Sequence, residues 1–194
     1  MVHNHRKTVR HFEDSPDIHE LTFSCHQRKP LLVNETWKKL LAEHITRAMA
    51  RHRYGLIAFV LMPEHVHLLV TPQPGSGSIS TLLSGIKRPF SYRIKQELIK
   101  TDSPLLNELM MPKRDGEFRF RFWLDGPGYD RNITNQKTLE LAINYIHENP
   151  VKRGLVERAV DWKWSSGRSY VLPETPPDSE LPRIDKLDSF RLEK

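Results

Sequence analysis

The sequence predicts an α+β domain with a ferredoxin-like, split βαβ antiparallel sheet that has its helices on one face and its other face open. The first observation behind this prediction is the order of segments, which runs strand, helix, strand, strand, helix, strand, helix. This order folds most simply as one antiparallel sheet. The second observation is that two strands, residues 65–71 and 117–123, collect purely apolar side chains on one side. Because side chains alternate across a strand, we expect their polar sides on one exposed face.

Composition limits the class of protein. The 194 residues carry a formal net charge of +6 and a pI near 9.5, which favours an anionic partner. Cys25 is the one cysteine, so an internal disulfide is excluded and a reducing compartment is expected. No run of about 18 apolar residues occurs, and the basic N-terminus lacks the apolar segment of a signal peptide. We therefore expect a cytoplasmic protein with no membrane contact.

Three regions differ in composition. Residues 1–17 are polar and basic, which predicts a flexible arm. Residues 18–170 contain the periodic segments and are long enough for one domain with a proper core. Residues 171–194 repeat proline, glutamate and aspartate among few large apolar side chains, which predicts an extended C-terminal tail.

The first half of the domain shows clear periodicity. Residues 18–27 alternate as a strand, and Asn34 is a suitable N-cap for an amphipathic helix over 35–53. Residues 55–62 and 65–71 are apolar runs separated by two residues, which predicts a hairpin.

The second half is less regular. Ser78 is the expected cap of a second helix, which Pro89 should kink or break. Residues 101–116 lack periodicity and are predicted to be irregular. Residues 117–123 alternate as the last strand, and residues 135–148 have the apolar spacing of a third helix.

His65 and His67 are the candidate metal ligands. Imidazoles at positions i and i+2 of a strand project from one face, within reach of a single ion. Val66 and Leu68 would then point into the core. Imidazole suits Mn, Zn or Ni, whereas Mg prefers oxygen ligands. The alternative is that both histidines form the polar side of an ordinary edge strand.

Arg119, Arg121 and Trp123 alternate with three phenylalanines along residues 117–123. We expect these three side chains on the same face of the sheet as the two histidines. Guanidinium groups and an indole beside metal ligands suit single-stranded nucleic acid. Lys87 and Arg88, beside the proline of the second helix, are further candidates for contact with nucleic acid. The alternative for all these charges is a solvated surface.

Several segments match a known pattern in a fixed order. They are Leu61 to Val70 (LMPEHVHLLV), Lys87 with Tyr92, Phe122-Trp123, Gly128-Tyr129-Asp130, Tyr145-Ile146, Asn149 to Val156 (NPVKRGLV) and Asp161 to Ser166 (DWKWSS). Over residues 18–170 the chain resembles the HUH single-tyrosine transposases, and more narrowly the REP-associated tyrosine transposases of bacteria. The ordered set of motifs is more specific than the histidine pair alone.

The resemblance implies an enzyme that nicks and rejoins single-stranded DNA at hairpins of repetitive extragenic palindromes in the nucleoid. It implies that His65 and His67 bind Mg²⁺ or Mn²⁺, and that Tyr129 attacks phosphorus to give a 5′-phosphotyrosine link and a free 3′-OH. It also favours DNA contact near Lys87. Whether the chain is a monomer or a homodimer stays open.

The sequence departs from the family pattern in three places. Glu64 stands where the family commonly has Asn, and Arg131 stands where a His often follows the Tyr-Asp pair. The turn before the tyrosine, Gly126-Pro127-Gly128, is a further variation. The third metal ligand is therefore unassigned, with Asn132 as the candidate if one helical turn separates it from Tyr129.

Alternatives remain for the nucleophile and for the function. Tyr145 competes with Tyr129, but its position in the middle of a helix favours a packing role. One rival function is a domesticated protein that binds hairpin DNA without cutting it. Another is a replication-initiation or relaxase-type nickase on the same scaffold, which usually needs further domains.

Overall fold

The computed structural model describes residues 17–113, 115–126 and 128–185, so the predicted N-terminal arm lies outside the described residues except for Asp17. The strands in these ranges are β1 (Ile18–Ser24), β2 (Tyr54–Leu61), β3 (His65–Pro72), β4 (Met110–Pro112), β5 (Phe118–Phe120) and β6 (Tyr129–Ile133). The helices are α1 (Glu35–His52), α2 (Ile79–Lys100), α3 (Leu105–Glu108), α4 (Gln136–Lys152) and α5 (Gly167–Val171). None of the helices in the described part of the chain combines the length and the apolar composition needed to cross a bilayer.

The main sheet has four strands in the order β2-β3-β1-β6, and all its neighbouring pairs are antiparallel. This is the strand order of a ferredoxin-like split βαβ fold, so the predicted fold class is confirmed. The side chain of Asn34 accepts a hydrogen bond from the Trp37 N–H and caps α1, as the sequence indicates.

Helices cover both faces of this sheet, in contrast to the expectation that they share one. α1 and α2 pack on the face that carries Leu21, Phe23 and Val66. α4 packs on the opposite face through its own apolar side, against β2 and β3. That second face is therefore accessible mainly beside β1 and β6, where Tyr129 and Arg131 are exposed.

The fourth strand of the sheet is β6, and the prediction that residues 117–123 form it is wrong. β5 covers only part of that segment and pairs with β4 in a separate two-stranded sheet. Residues 101–116, predicted to be irregular, supply both α3 and β4. The chain reaches β6 through Gly128, where a Cβ atom would lie 2.2 Å from the Thr22 carbonyl oxygen at φ +84°. Only glycine fits this close approach.

Pro89 lies inside α2 and does not break it. Ile86, Phe90 and Ile94 are fully buried and continue the apolar stripe on both sides of the proline. A proline in a helix interior costs about 3 kcal/mol, and each buried side chain of this size contributes about 1.5–3 kcal/mol. Packing of the stripe therefore outweighs the cost of the proline.

Residues 172–185 contain turns at 172–175 and 178–181, and the end of this segment docks along the outer edge of β2. The backbone N–H of Leu56 donates to the Asp185 carboxylate, and the Asp185 N–H donates back to the Leu56 carbonyl. Leu181 and Ile184 pack against the core. This edge of the sheet is therefore covered, which removes a template for pairing with other chains.

Candidate active site

A cavity of about 580 Å³ opens on the second face of the sheet, between β1, β3, β6 and α4. We call it the histidine cavity, and its central side chains are Thr22, His65, His67, Tyr129, Tyr145 and Asn149. The structure thus brings the two predicted histidine ligands and both candidate nucleophiles into one cavity.

The two imidazoles are buried and converge on each other. Their Nε2 atoms lie 3.0 Å apart, and the ring planes meet at 84°. Burial, with the neighbouring His65, lowers the pKa of His67 to about 3. Burial also lowers the pKa of His65, against the opposing effect of Glu64. Both rings are therefore neutral at pH 7 and retain a lone pair for a ligand bond.

His67 is held at its second nitrogen by a hydrogen bond, whereas His65 Nδ1 has a carboxylate nearby but no hydrogen-bond partner among the described residues. Thr22 Oγ1 lies 2.8 Å from His67 Nδ1, and Glu64 Oε1 lies 3.3 Å from His65 Nδ1. Oxygen partners at Nδ1 orient the Nε2 lone pairs of metal-binding histidines. The donor set therefore fits two ligands of a divalent ion. Within the described ranges no group of three His, Cys, Asp or Glu side chains converges, so any third protein ligand from these residues would be of another kind.

Tyr145 lies against the histidine pair instead of packing in the core. Its ring is edge-on to His67, with centroids 5.6 Å apart and planes at 89°, and it is 45% exposed. The Lys152 Nζ lies 4.8 Å from the centre of the Tyr145 ring. Asn149, one helical turn beyond Tyr145, brings its amide to 3.3 Å from His67 Nε2. The i, i+4 spacing of Tyr145 and Asn149 was the sequence signal for this arrangement.

Tyr129 lines the same cavity from the other side. It is 50% exposed at the start of β6, and Thr22 of β1 is its partner in register. Thr22 also faces His67 across the β1–β3 ladder. Two strand spacings therefore separate the backbones of Tyr129 and His67, which is about 10 Å.

Asn132 is not in the cavity, and the structure contradicts its assignment as the third metal ligand. Residues 129–133 form a strand, so Asn132 points to the face opposite Tyr129 and Arg131. There its amide donates to Asp17 at 3.1 Å. The assignment assumed a helical turn after Tyr129, which does not exist.

Cationic side chains surround the histidine cavity: Arg28, Arg131, Lys152 and Arg153. Two of them neutralise buried carboxylates. Arg131 Nη2 lies 2.6 Å from Glu20 Oε2, and Arg153 Nη2 lies 2.8 Å from Glu64 Oε1. A cavity with this excess of positive charge suits an anionic ligand.

A second cavity of about 470 Å³ lies between α2 and residues 119–126. We call it the arginine groove, and the predicted DNA contacts Lys87, Arg88, Arg119 and Arg121 all line it. α2 packs on the face opposite the histidines, so the expectation that Arg119 and Arg121 share a sheet face with them is wrong. Burial lowers the pKa of Lys87, against the opposing effect of Asp125.

Trp123 is a core residue. It is 6% exposed, and its ring packs against Phe23 with centroids 5.0 Å apart. Its indole N–H donates to the Lys87 carbonyl at 3.2 Å. Its ring is therefore not available to stack on a nucleic-acid base, in contrast to the prediction from the sequence.

Known proteins resemble the chain over most of its length. The IS200-like transposase family matches residues 17–149. A REP-associated tyrosine transposase of Escherichia coli K12 is 26% identical over 145 residues, covering 75% of this chain and 73% of its own. A Haemophilus influenzae protein of the same family name is 23% identical over 155 residues, covering 76% of this chain and 82% of its own.

The fold has a solved counterpart. The structure of a REP-associated tyrosine transposase bound to a REP hairpin superposes with a TM-score of 0.66 at 21% identity, covering 92% of this chain and 99% of that one. The resemblance predicted from the sequence motifs is therefore confirmed. With a family match that spans more than half of its residues, the chain belongs to the IS200-like transposases.

Proposed function

We propose that this transposase nicks and rejoins single-stranded DNA at hairpins, with Tyr145 as the nucleophile. The observation that carries the proposal is the edge-on contact of Tyr145 with His67 in a cavity lined by cations. The solved structure of a REP-associated tyrosine transposase with the same fold is a complex with a REP hairpin. This complex supports hairpin DNA as the substrate class.

In the proposed reaction, the Tyr145 Oη attacks the phosphorus of one phosphodiester. The Tyr–O–P bond forms while the P–O3′ bond breaks, the phenolic proton is lost and the 3′ oxygen leaves as a hydroxyl. The product is a 5′-phosphotyrosine link that keeps the energy of the phosphodiester. Attack by a 3′-OH in the reverse direction rejoins a strand without a nucleotide cofactor.

The chain's own residues bind and orient the substrate. Arg28, Lys152 and the two paired arginines of the histidine cavity would hold the phosphate and its neighbours. Lys152 lies next to the Tyr145 ring, so a phosphate bound by this lysine would lie beside the phenol. Attack needs this proximity because an un-ionised phenol is a weak nucleophile.

His65 and His67 would hold a divalent ion, Mg²⁺ or Mn²⁺, with the Asn149 amide as a candidate third ligand. A rotation of the amide by 180° would direct its oxygen towards the site now occupied by its nitrogen. Such an ion supplies Lewis-acid polarisation of the phosphate and stabilises the leaving oxygen.

Tyr129 is the alternative nucleophile, favoured by the sequence motif. It shares the cavity, but Thr22 lies between it and His67. We therefore give Tyr129 a role in contacting the strand, and we treat its replacement as the matched control for that of Tyr145.

The test uses single-stranded hairpins with randomised flanks, labelled on the 3′ side, and Mn²⁺ or Mg²⁺. An active enzyme becomes covalently labelled, and mapping of the labelled peptide identifies the tyrosine. Tyr145→Phe should lower adduct formation by about 10³-fold or more, while Tyr129→Phe should retain it within about tenfold. An adduct mapped to Tyr129 would reverse the assignment. Hairpin binding without any adduct would favour the non-cleaving alternative.

A further inference from the structure

We infer that the histidine cavity contains a slot for one unpaired nucleobase, between the ring of Tyr129 and the ion pair of Arg131 with Glu20. The inference rests on the proposed function and deepens it, because it concerns the base of a nucleotide close to the bound phosphate. All three side chains line the cavity. The basis of the inference is a half-exposed ring and a planar guanidinium group on one face of one strand.

The backbone around Tyr129 is held in a fixed position. Gly128, the residue before it, lies so close to β1 that a Cβ atom would be 2.2 Å from the Thr22 carbonyl oxygen. Asp130, the residue after it, points to the other face of the sheet, where its Oδ1 lies 3.0 Å from Nδ1 of the buried His19. Tyr129 itself pairs with Thr22 in the β1–β6 ladder. The strand is therefore anchored on both sides of the tyrosine.

The ring of Tyr129 remains open to a ligand. It is 50% exposed, and its side chain has no hydrogen bond or aromatic contact with another described residue. A large ring on a rigid strand gains free energy when a flat partner covers it. Every base of a single strand offers such a face. Bases inside a duplex are already stacked on their neighbours, so an unpaired strand is the ligand that fits.

Arg131 supplies the opposite side of the slot. It follows Tyr129 by two residues on the same face of β6, so their Cα atoms are about 7 Å apart. This distance is about twice the 3.4 Å rise of stacked nucleotides, which is the room that one inserted base needs. Arg131 Nη2 lies 2.6 Å from Oε2 of the buried Glu20. The carboxylate thus holds the guanidinium in place, and guanidinium planes stack on unpaired bases.

The slot is close enough to the histidine pair for one strand to reach both. About 10 Å separates the backbones of Tyr129 and His67. A stacked single strand covers this distance in about three nucleotides, and an extended strand in fewer. A base in the slot would therefore lie within about three positions of the phosphate beside Tyr145. Its binding would set which phosphate of the unpaired strand reaches the histidine pair.

The test uses the full-length protein at saturating concentration in EDTA. The probe is a hairpin oligonucleotide whose unpaired flanks carry 2-aminopurine at one position at a time, since stacking quenches the fluorescence of this base. Wild type should quench one unpaired position most strongly. Tyr129→Ala should lose this quenching and bind the hairpin about 5- to 150-fold more weakly, the range expected for one base stacked on an aromatic ring. Tyr129→Phe should keep both properties, because it removes only the hydroxyl.

Two further variants separate stacking from other effects. Arg131→Lys keeps the charge but loses the planar group. It should reduce quenching at the same position and leave the slope of log affinity against log salt unchanged. Tyr92→Ala is the matched control, because Tyr92 is also an exposed tyrosine (63%) but lies on α2, on the other side of the sheet. It should quench like wild type.

The absence of quenching at every unpaired position in wild type would overturn the inference. Equal quenching in wild type and Tyr129→Ala would also overturn it, as would equal losses in Tyr129→Ala and Tyr92→Ala, which would indicate a general loss of binding. Since the measurement is made without metal or cleavage, it is independent of the nicking reaction. A hairpin that is bound with the expected pattern but never cut would refute the proposed nicking and leave the slot in place.

Discussion

The Asn149 amide lies 3.3 Å from the Nε2 atom of His67, whereas Asn132 lies on the opposite face of the sheet and bonds to Asp17. Two asparagines near candidate tyrosines in the sequence thus have different surroundings. Only Asn149 is in a position to complete a site with the histidine pair.

Replacing these asparagines separates the two candidates for a third ligand. Asn149→Ala should weaken Mn²⁺ binding by about tenfold, because an oxygen or nitrogen partner is lost beside His67. Asn132→Ala should leave Mn²⁺ binding unchanged. Calorimetric titration of both proteins at one pH gives the comparison, and a larger loss in Asn132→Ala would contradict the assignment.

Gly128 should be far more sensitive to alanine than Gly116. Both have a left-handed backbone, with φ +84° and φ +81°, but a Cβ at Gly116 meets nothing within 4 Å. Gly116→Ala should therefore cost only the conformational term, about 1–2 kcal/mol. Gly128→Ala adds a clash with the Thr22 carbonyl and should cost clearly more. Urea unfolding measures both, and equal losses of unfolding free energy would refute the steric argument.

Stability should fall as the pH drops below 6.5. Burial lowers the pKa of His147 from 6.5 to about 4, so the folded state stays neutral where the unfolded chain binds a proton. The contribution of the neutral His147 side chain to the free energy of unfolding is therefore complete above pH 6.5 and is lost progressively as the pH falls towards 4. At pH 5 the loss of unfolding free energy caused by this one residue is about 2 kcal/mol. Unfolding free energies at pH 7.5 and pH 5 should differ less in His147→Gln, and an equal difference would exclude His147 as the cause.

The tail should protect the edge of β2. Asp185→Ala removes the acceptor of the Leu56 N–H, which should cost about 1 kcal/mol and accelerate hydrogen exchange at that amide. Glu180→Ala is the control, because Glu180 pairs with Lys39 and Lys163 instead of the strand. Faster exchange at Leu56 in both variants would indicate that the whole tail detaches.

The arginine groove should contribute to DNA affinity through charge. Arg88→Ala and Arg119→Ala should each weaken hairpin binding and reduce the slope of log affinity against log salt by about one. Fluorescence anisotropy over a series of salt concentrations measures this. Arg158→Ala, an exposed arginine paired with Asp161, is the matched control and should leave the slope unchanged.

The sequence predicted the elements whose periodicity comes from burial on one side. β1, α1 and the β2–β3 hairpin lie where alternation and the Asn34 cap indicate. The shared face of the two histidines followed from the i, i+2 rule for strands, whereas the cavity around them did not. These features depend on local patterns, which the sequence displays directly.

The fourth strand of the main sheet, β6, was not predicted because its side chains are mostly polar and exposed. β6 consists of Tyr129 to Ile133 and buries only Ile133, so no alternation distinguishes it. The role of Tyr145 was not predicted because its contact with His67 joins residues 78 positions apart. The i, i+4 spacing with Asn149 shows only that these two side chains share a helix face. In the sequence, the exposed side of α4 has the composition of an ordinary solvated helix face, and only the fold shows that it lies beside β3.

Because the histidine cavity and the arginine groove open on opposite sides of one sheet, a single ligand that fills both must turn sharply around its margin. Duplex DNA keeps its direction over about 150 base pairs, far more than the width of four strands. A flexible, unpaired stretch makes such a turn more readily than paired DNA. If the proposed hairpin substrate fills both cavities, its junction of stem and unpaired strand would therefore lie at this margin.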